Sequence, residues 1–86
     1  MSGALQVYSR DFDEDFFKLP AAIQARIESS IDRLGMTLDT HSHHRMKGIA
    51  AYRHRVGDYR VIYAFDCSKG VLHLLVVGHR REVYRK

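Results

Sequence analysis

The sequence predicts an α+β fold, β-α-α-β-β-β, with an N-terminal helical hairpin packed on one face of a mainly antiparallel sheet. Three observations predict it. Ile23, Ile27, Ile31 and Leu34 recur at helical spacing. Between positions 49 and 77 the apolar residues fall into three strand-like runs, and a Gly-Asp pair joins the first two as a hairpin turn. Eighty-six residues, 45% of them hydrophobic, support one small core, so a single domain over residues 1–86 is expected.

Leu5 and Val7 alternate with Gln6 like a short strand ending near Tyr8. Ser9 and Asp11 are N-cap candidates, and the acids Asp11, Asp13, Glu14 and Asp15 suit the positive end of a helix dipole. Phe12 and Phe16, four apart, give this first helix an aromatic face. Lys18-Leu19-Pro20 ends it, because the residue before proline disfavours helix, and Pro20 suits the first position of the second helix. In that helix Gln24, Arg26, Glu28 and Arg33 fall mostly off the apolar stripe, and Gly35 reads as the residue just past its end. Residues 36–48 are polar and read as a loop, with Met36 and Met46 at the edge of the core.

Residues 49–56 then alternate, 59–65 are rich in β-branched and aromatic side chains, and 71–77 are almost wholly apolar, as in a central strand. Gly57-Asp58, with glycine first, predicts a type II′ turn. Residues 66–70 make a longer turn, and 82–84 leave room for a short last strand.

Composition narrows the function classes. The charged fraction of 28% and a single proline exclude a disordered chain. Cys67 has no partner for a disulfide, so the fold must hold by packing alone, as suits a reducing cytoplasm. No signal-peptide core opens the chain, and the run 71–77 is too short to span a bilayer, so a soluble cytoplasmic protein is expected. No cofactor or metal is expected either. His41, His43 and His44 near Asp39 lack helical i, i+4 spacing and a nearby cysteine, and read as a solvated loop. Cys67 and the serines show no nucleophile motif.

Charge is the stronger lead. The net charge is +4, but residues 1–44 carry four Lys/Arg against seven Asp/Glu, and residues 45–86 carry ten against three. Seven of those ten are arginines, whose planar fork matches phosphate oxygens. A two-residue hairpin pairs Val56 with Tyr59, Arg55 with Arg60 and Arg53 with Ile62. Arg53, Arg55 and Arg60 then share one face, while Tyr52, His54, Val56, Tyr59, Val61, Tyr63 and Phe65 share the other. Like charges facing across strands cost stability, which points to an external polyanion that offsets the cost.

The run from Tyr52-Arg53-His54-Arg55 through Val56-Gly57-Asp58-Tyr59-Arg60-Val61-Ile62-Tyr63 carries a family resemblance. So do the ending Gly78-His79-Arg80-Arg81-Glu82-Val83-Tyr84-Arg85 and the earlier Leu19-Pro20 and Met46-Lys47-Gly48. Together, over nearly the whole chain, they resemble the RelE/ParE superfamily of toxins from bacterial type II toxin–antitoxin systems, in its RelE-like branch. The resemblance implies a RelE-like, microbial-RNase-like domain held inactive by a cognate antitoxin. RelE-like members are metal-independent, ribosome-dependent endoribonucleases that cleave mRNA in the ribosomal A site. The family's site positions look like Arg53, Arg55, Arg60, Arg80 and Tyr84 here, with arginine at the first two where RelE commonly has lysine. Arg45, Lys47, His79, Arg81, Arg85 and Lys86 would meet RNA or rRNA. ParE-like members share the fold and poison DNA gyrase, which leaves a gyrase toxin and a non-catalytic RNA-binding module as alternatives.

Metal-free RNA cleavage needs a proton acceptor for the 2′-OH, charge stabilisation at phosphorus and help for the leaving 5′-oxygen. Arg55 and Arg60 suit the phosphate, Arg80 the leaving group, and Tyr84 the 2′-OH or a stacked base. The base is unassigned. Guanidinium is a poor proton acceptor, and His79 has the right chemistry without a placement.

Overall fold

A computed structural model describes residues 3–83. The elements are β1 (Leu5–Tyr8), α1 (Arg10–Phe16), α2 (Ala21–Met36), β2 (His44–Arg45), β3 (Tyr52–Val56), β4 (Tyr59–Asp66) and β5 (Val71–His79). They build a five-stranded sheet in the order β1-β5-β4-β3-β2. Only the β1–β5 pairing is parallel; the other three are antiparallel. The two helices lie on one face, as expected. No helix among the described residues is long and apolar enough to cross a membrane.

Ser9, not Asp11, caps α1. Its Oγ accepts the Phe12 N–H at 3.0 Å and donates to the Leu75 carbonyl at 2.6 Å, so the same hydroxyl ties α1 to β5. Asp11 and Asp13 sit in the first turn, where the helix dipole favours them. Pro20 stands one position earlier than expected, as the N-cap. Its backbone is extended, and its carbonyl accepts the Ile23 and Gln24 N–H groups at 2.9 Å.

Gly35 does not end α2. The helix runs on to Met36 and is capped by Thr37. The glycine is there for close approach: an added Cβ would lie 3.6 Å from the Ala4 nitrogen, and the Ala4 N–H donates to the Gly35 carbonyl at 3.1 Å. The chain entering β1 crosses the helix at that point. Met36 is exposed rather than at the core's edge, whereas Met46 packs as expected.

The main core lies between helices and sheet. Phe12, Phe16, Ile27, Ile31 and Leu34 meet Val56, Val61, Tyr63, Leu72, Leu74 and Val77. A smaller cluster covers part of the far face: Ala51, Ile62 and Val83, with Met46, Leu75 and Val76 packed on it. The register jumps between Ile62↔Val76 and Tyr63↔Leu74, which makes Leu75 the extra residue of a β-bulge. Beyond the bulge Val77 and His79 face the helices and Gly78 faces away.

The segment 36–48 is not simply a solvated loop. His44–Arg45 form the edge strand β2, and His43 is packed inward. Its ring stacks on Phe65 with centroids 4.1 Å apart. Its Nε2–H donates to the Leu38 carbonyl at 2.7 Å, so Nδ1 accepts the Tyr63 hydroxyl at 2.5 Å. Burial, with nearby Tyr52 adding, pushes the Tyr63 phenol up to about 12. At the other end residues 80–82 form a turn and Val83 a 3₁₀ position, so no strand forms at 82–83. Tyr84 lies outside the described residues.

Candidate nucleic-acid interface

Gly57 has φ +59°, and no non-glycine among the described residues has positive φ, so Asp58 does not. That is the type II′ pattern, and it fixes the register: Val56↔Tyr59, Arg55↔Arg60, Arg53↔Ile62. Val56 and Val61 are buried under the helices, and Ile62 belongs to the cluster on the far face. Arg53, Arg55 and Arg60 therefore project together from the face that the helices leave open.

They line a hollow of about 290 Å³ whose fourth wall is His44. His44 pairs with Arg53 across β2–β3. Arg60 is braced: Nη1 donates to the Gly57 and Tyr59 carbonyls, at 3.0 Å each. Arg10 and Glu14 pair at 3.1 Å on α1, and no carboxylate of a described residue pairs with Arg53, Arg55 or Arg60.

The remaining expected residues divide. The Arg80 N–H donates to the Asp58 carbonyl at 2.8 Å, which holds Arg80 against the hairpin turn. Strand pairing ends at His79, so Arg80 and Arg81 belong to a turn, and strand alternation sets the face of neither. The ring of His79 stands edge-on to Tyr59, 5.7 Å away, on the helix side of the sheet and across it from the arginines. Its Nδ1 accepts the Arg81 N–H at 3.3 Å. Arg45 pairs with Tyr52, on the register of the helix side, and Lys47 is exposed in the turn after β2. Tyr84, Arg85 and Lys86 lie outside the described residues. The chain leading to them is placed, however. Val83 is buried on the arginine face beside Ile62, 3.6 Å from where a Cβ on Gly78 would be, and Gly78 pairs with Arg60. The bare glycine lets the chain fold back over the sheet next to Arg60.

Two features escaped the sequence reading. His44 is one. The other is a hollow of about 410 Å³ around the β3 edge, lined by Arg26, Ser29, Ser30, Arg33, Arg55 and Gly57. Arg26 and Arg33, seven apart, lie on one side of α2. Glu28 and Asp32 lie on the other: Asp32 accepts from Gln6 Nε2 at 2.7 Å, and Glu28 lines a hollow with Tyr8 and Phe17. Gly57 admits Arg26, whose guanidinium is 3.1 Å from where a Cβ would stand. The seven-residue spacing was the available signal. Arg55 borders both hollows, so the cationic surface wraps from the sheet face round the strand edge.

Beside it, Ser30 Oγ and His54 Nε2 are 2.6 Å apart. Burial lowers the His54 pKa, with His41 and Arg33 adding; burial also lowers that of His41, with His43 and His44 adding. Among the described residues no group of three or more His, Cys, Asp or Glu has an arrangement fit to hold a metal.

Residues 7–84 match the family described as "ParE toxin of type II toxin-antitoxin system, parDE". No curated protein matches the sequence. Solved structures do match. The toxin–antitoxin complex RelBE2 of Mycobacterium tuberculosis gives a TM-score of 0.75 at 24% identity, over 93% of this chain and 94% of the other. The RelB–RelE complex of Methanococcus jannaschii gives 0.71 at 24%, over 92% and 95%. The isolated RelE toxin of E. coli gives 0.74 at 14%, over 88% and 83%. At these identities the likeness is one of fold.

Proposed function

Because the chain belongs to the ParE toxin family of type II toxin–antitoxin systems, within the RelE/ParE superfamily, we propose that it is a RelE-like toxin: a ribosome-dependent mRNA endonuclease that blocks translation. The observation that carries this reading is the hollow of His44, Arg53, Arg55 and Arg60, three guanidiniums gathered with no carboxylate paired to them among the described residues. An RNA phosphate supplies the missing negative charge.

In the reaction the 2′-OH of one nucleotide attacks the adjacent phosphorus and displaces the 5′-oxygen of the next. Arg55 and Arg60 hold the scissile phosphate, and their donors bind the charge that grows on its oxygens more tightly than the starting diester. The bonds from Arg60 to the turn carbonyls set its fork before substrate arrives, so little ordering remains to be done at binding. Arg53 extends the grip along the backbone. Arg80, tethered to the hairpin turn, supports the leaving oxygen. Tyr84 is assigned to the 2′-OH or a stacked base through the family resemblance. Arg45, Lys47, Arg81, Arg85 and Lys86 are assigned to rRNA; His79, on the other face, would meet RNA apart from the cleavage site. The protein acts in the cytoplasm, where a cognate antitoxin holds it, as RelB accompanies RelE in the solved complexes.

The family's ParE description favours a second reading, a toxin directed at DNA gyrase. Purified ribosomes programmed with a defined mRNA, with primer extension, separate the two. New 3′ ends at A-site codons support the endonuclease. Intact mRNA together with lost supercoiling activity of gyrase supports the alternative, and ribosome binding without cleavage leaves a non-catalytic RNA-binding module.

A further inference from the structure

The arginine hollow holds phosphate well but has no obvious group to take the 2′-OH proton, since a guanidinium stays protonated. We propose that His44 is that group, the general base of the site; the inference rests on the endonuclease reading above.

The fold places it. His43, just before β2, is packed against Phe65 and Tyr63 under the helices, whereas His44 lines the arginine hollow on the opposite face. Met46, two residues on and so on the same face as His44, packs with Ala51 and Ile62 on the arginine side. The Met46 N–H donates to the Ala51 carbonyl at 2.8 Å, which fastens the strand's end to β3. His44 thus stands on a paired strand, opposite Arg53, at the wall of the hollow.

The other histidines are committed elsewhere. Both ring nitrogens of His43 are bonded, His54 bonds Ser30, and His79, on the helix side of the sheet, accepts the Arg81 N–H two residues on. His41 rests against His43 and His54, and His73 lies on β5 opposite Ala64, far from the hairpin turn. His44 makes no hydrogen bond to any described residue, and its ring is exposed toward the hollow. Imidazole is also the side chain best matched to proton transfer near neutral pH.

In the step, an imidazole nitrogen of His44 takes the 2′-OH proton as the O2′–P bond forms. The P–O5′ bond breaks, and the leaving oxygen takes a proton from water. The products are a 2′,3′-cyclic phosphate and a 5′-OH, and the imidazolium returns its proton to solvent.

The test is single-turnover cleavage on programmed ribosomes by His44→Ala and His44→Gln. Both should cleave about 10²–10⁴-fold more slowly than the unaltered protein. Their melting temperatures, and their binding to ribosomes carrying 2′-O-methyl mRNA, should not change. Free imidazole should restore part of the rate to His44→Ala. Cleavage by His44→Ala within threefold of the unaltered protein overturns the inference. So does a loss matched by weaker binding, or one that imidazole leaves unrestored. An unaltered protein that leaves mRNA intact overturns the endonuclease reading itself, and this inference with it.

Discussion

Replacing Arg55 by glutamine should make the protein more stable and less toxic at once. Arg55 lies directly opposite Arg60, one step from the pair that closes the hairpin. By the antiparallel alternation this is a non-hydrogen-bonded pair, with Cα atoms about 4.5 Å apart and the side chains at their closest. Like charges so placed cost roughly 0.2–1 kcal/mol, and Arg26 and Arg33 at the same strand edge add to the repulsion. For a chain of this length about 1 kcal/mol moves the melting temperature by roughly 4–8 °C, so a rise of about 1–8 °C is expected. Glutamine keeps much of the aliphatic stem, which limits the packing lost. The gain should shrink in about 1 M salt, where the Debye length falls to about 3 Å. Thermal melts at low and high salt, read beside growth inhibition on expression, make the assay. A lower melting temperature at low salt, or full growth arrest from the folded variant, refutes the reasoning.

Three further outcomes follow from the same geometry. Arg26→Ala with Arg33→Ala should weaken ribosome binding and make the slope of log affinity against log salt shallower by about 2, measured by filter binding across a salt series. Folding stability should fall as pH drops below about 6.5. Burial holds His54 and His41 below their unfolded pKa, so the unfolded chain takes up protons first, and stability is full above that pH and lost toward the folded values. Urea melts between pH 7.5 and 5 should show this slope, and His54→Gln should flatten it. Val83→Ala should cost about 1–2 kcal/mol in a denaturant melt, the burial of two methyl groups, and should reduce cleavage by loosening the chain that covers the sheet beside Arg60.

The hairpin was legible because its determinants are local. A Gly-Asp loop fixes the pairing, and alternation then dictates that Arg53, Arg55 and Arg60 share a face. The stripe of α2 and the Pro20 break were equally readable. What escaped depended on distant contacts. Two polar residues make no strand pattern, so β2 exists only because β3 lies alongside, and His44 was hidden with it. The bulge at Leu75 decides which side His79 takes, and no local signal marks it. Gly35 looked like a helix end because glycine usually serves there; the reason for it, the crossing of Ala4, lies 31 positions away in sequence.

The arginine face is proposed to grip an RNA backbone on the ribosome. Cryo-electron microscopy of the protein on ribosomes carrying 2′-O-methyl mRNA tests it most directly. An mRNA phosphate should lie within hydrogen-bond reach of both Arg55 and Arg60, with the His44 ring beside the methylated 2′-oxygen. Density showing the β3–β4 hairpin turned toward solvent, with the mRNA elsewhere, would contradict it.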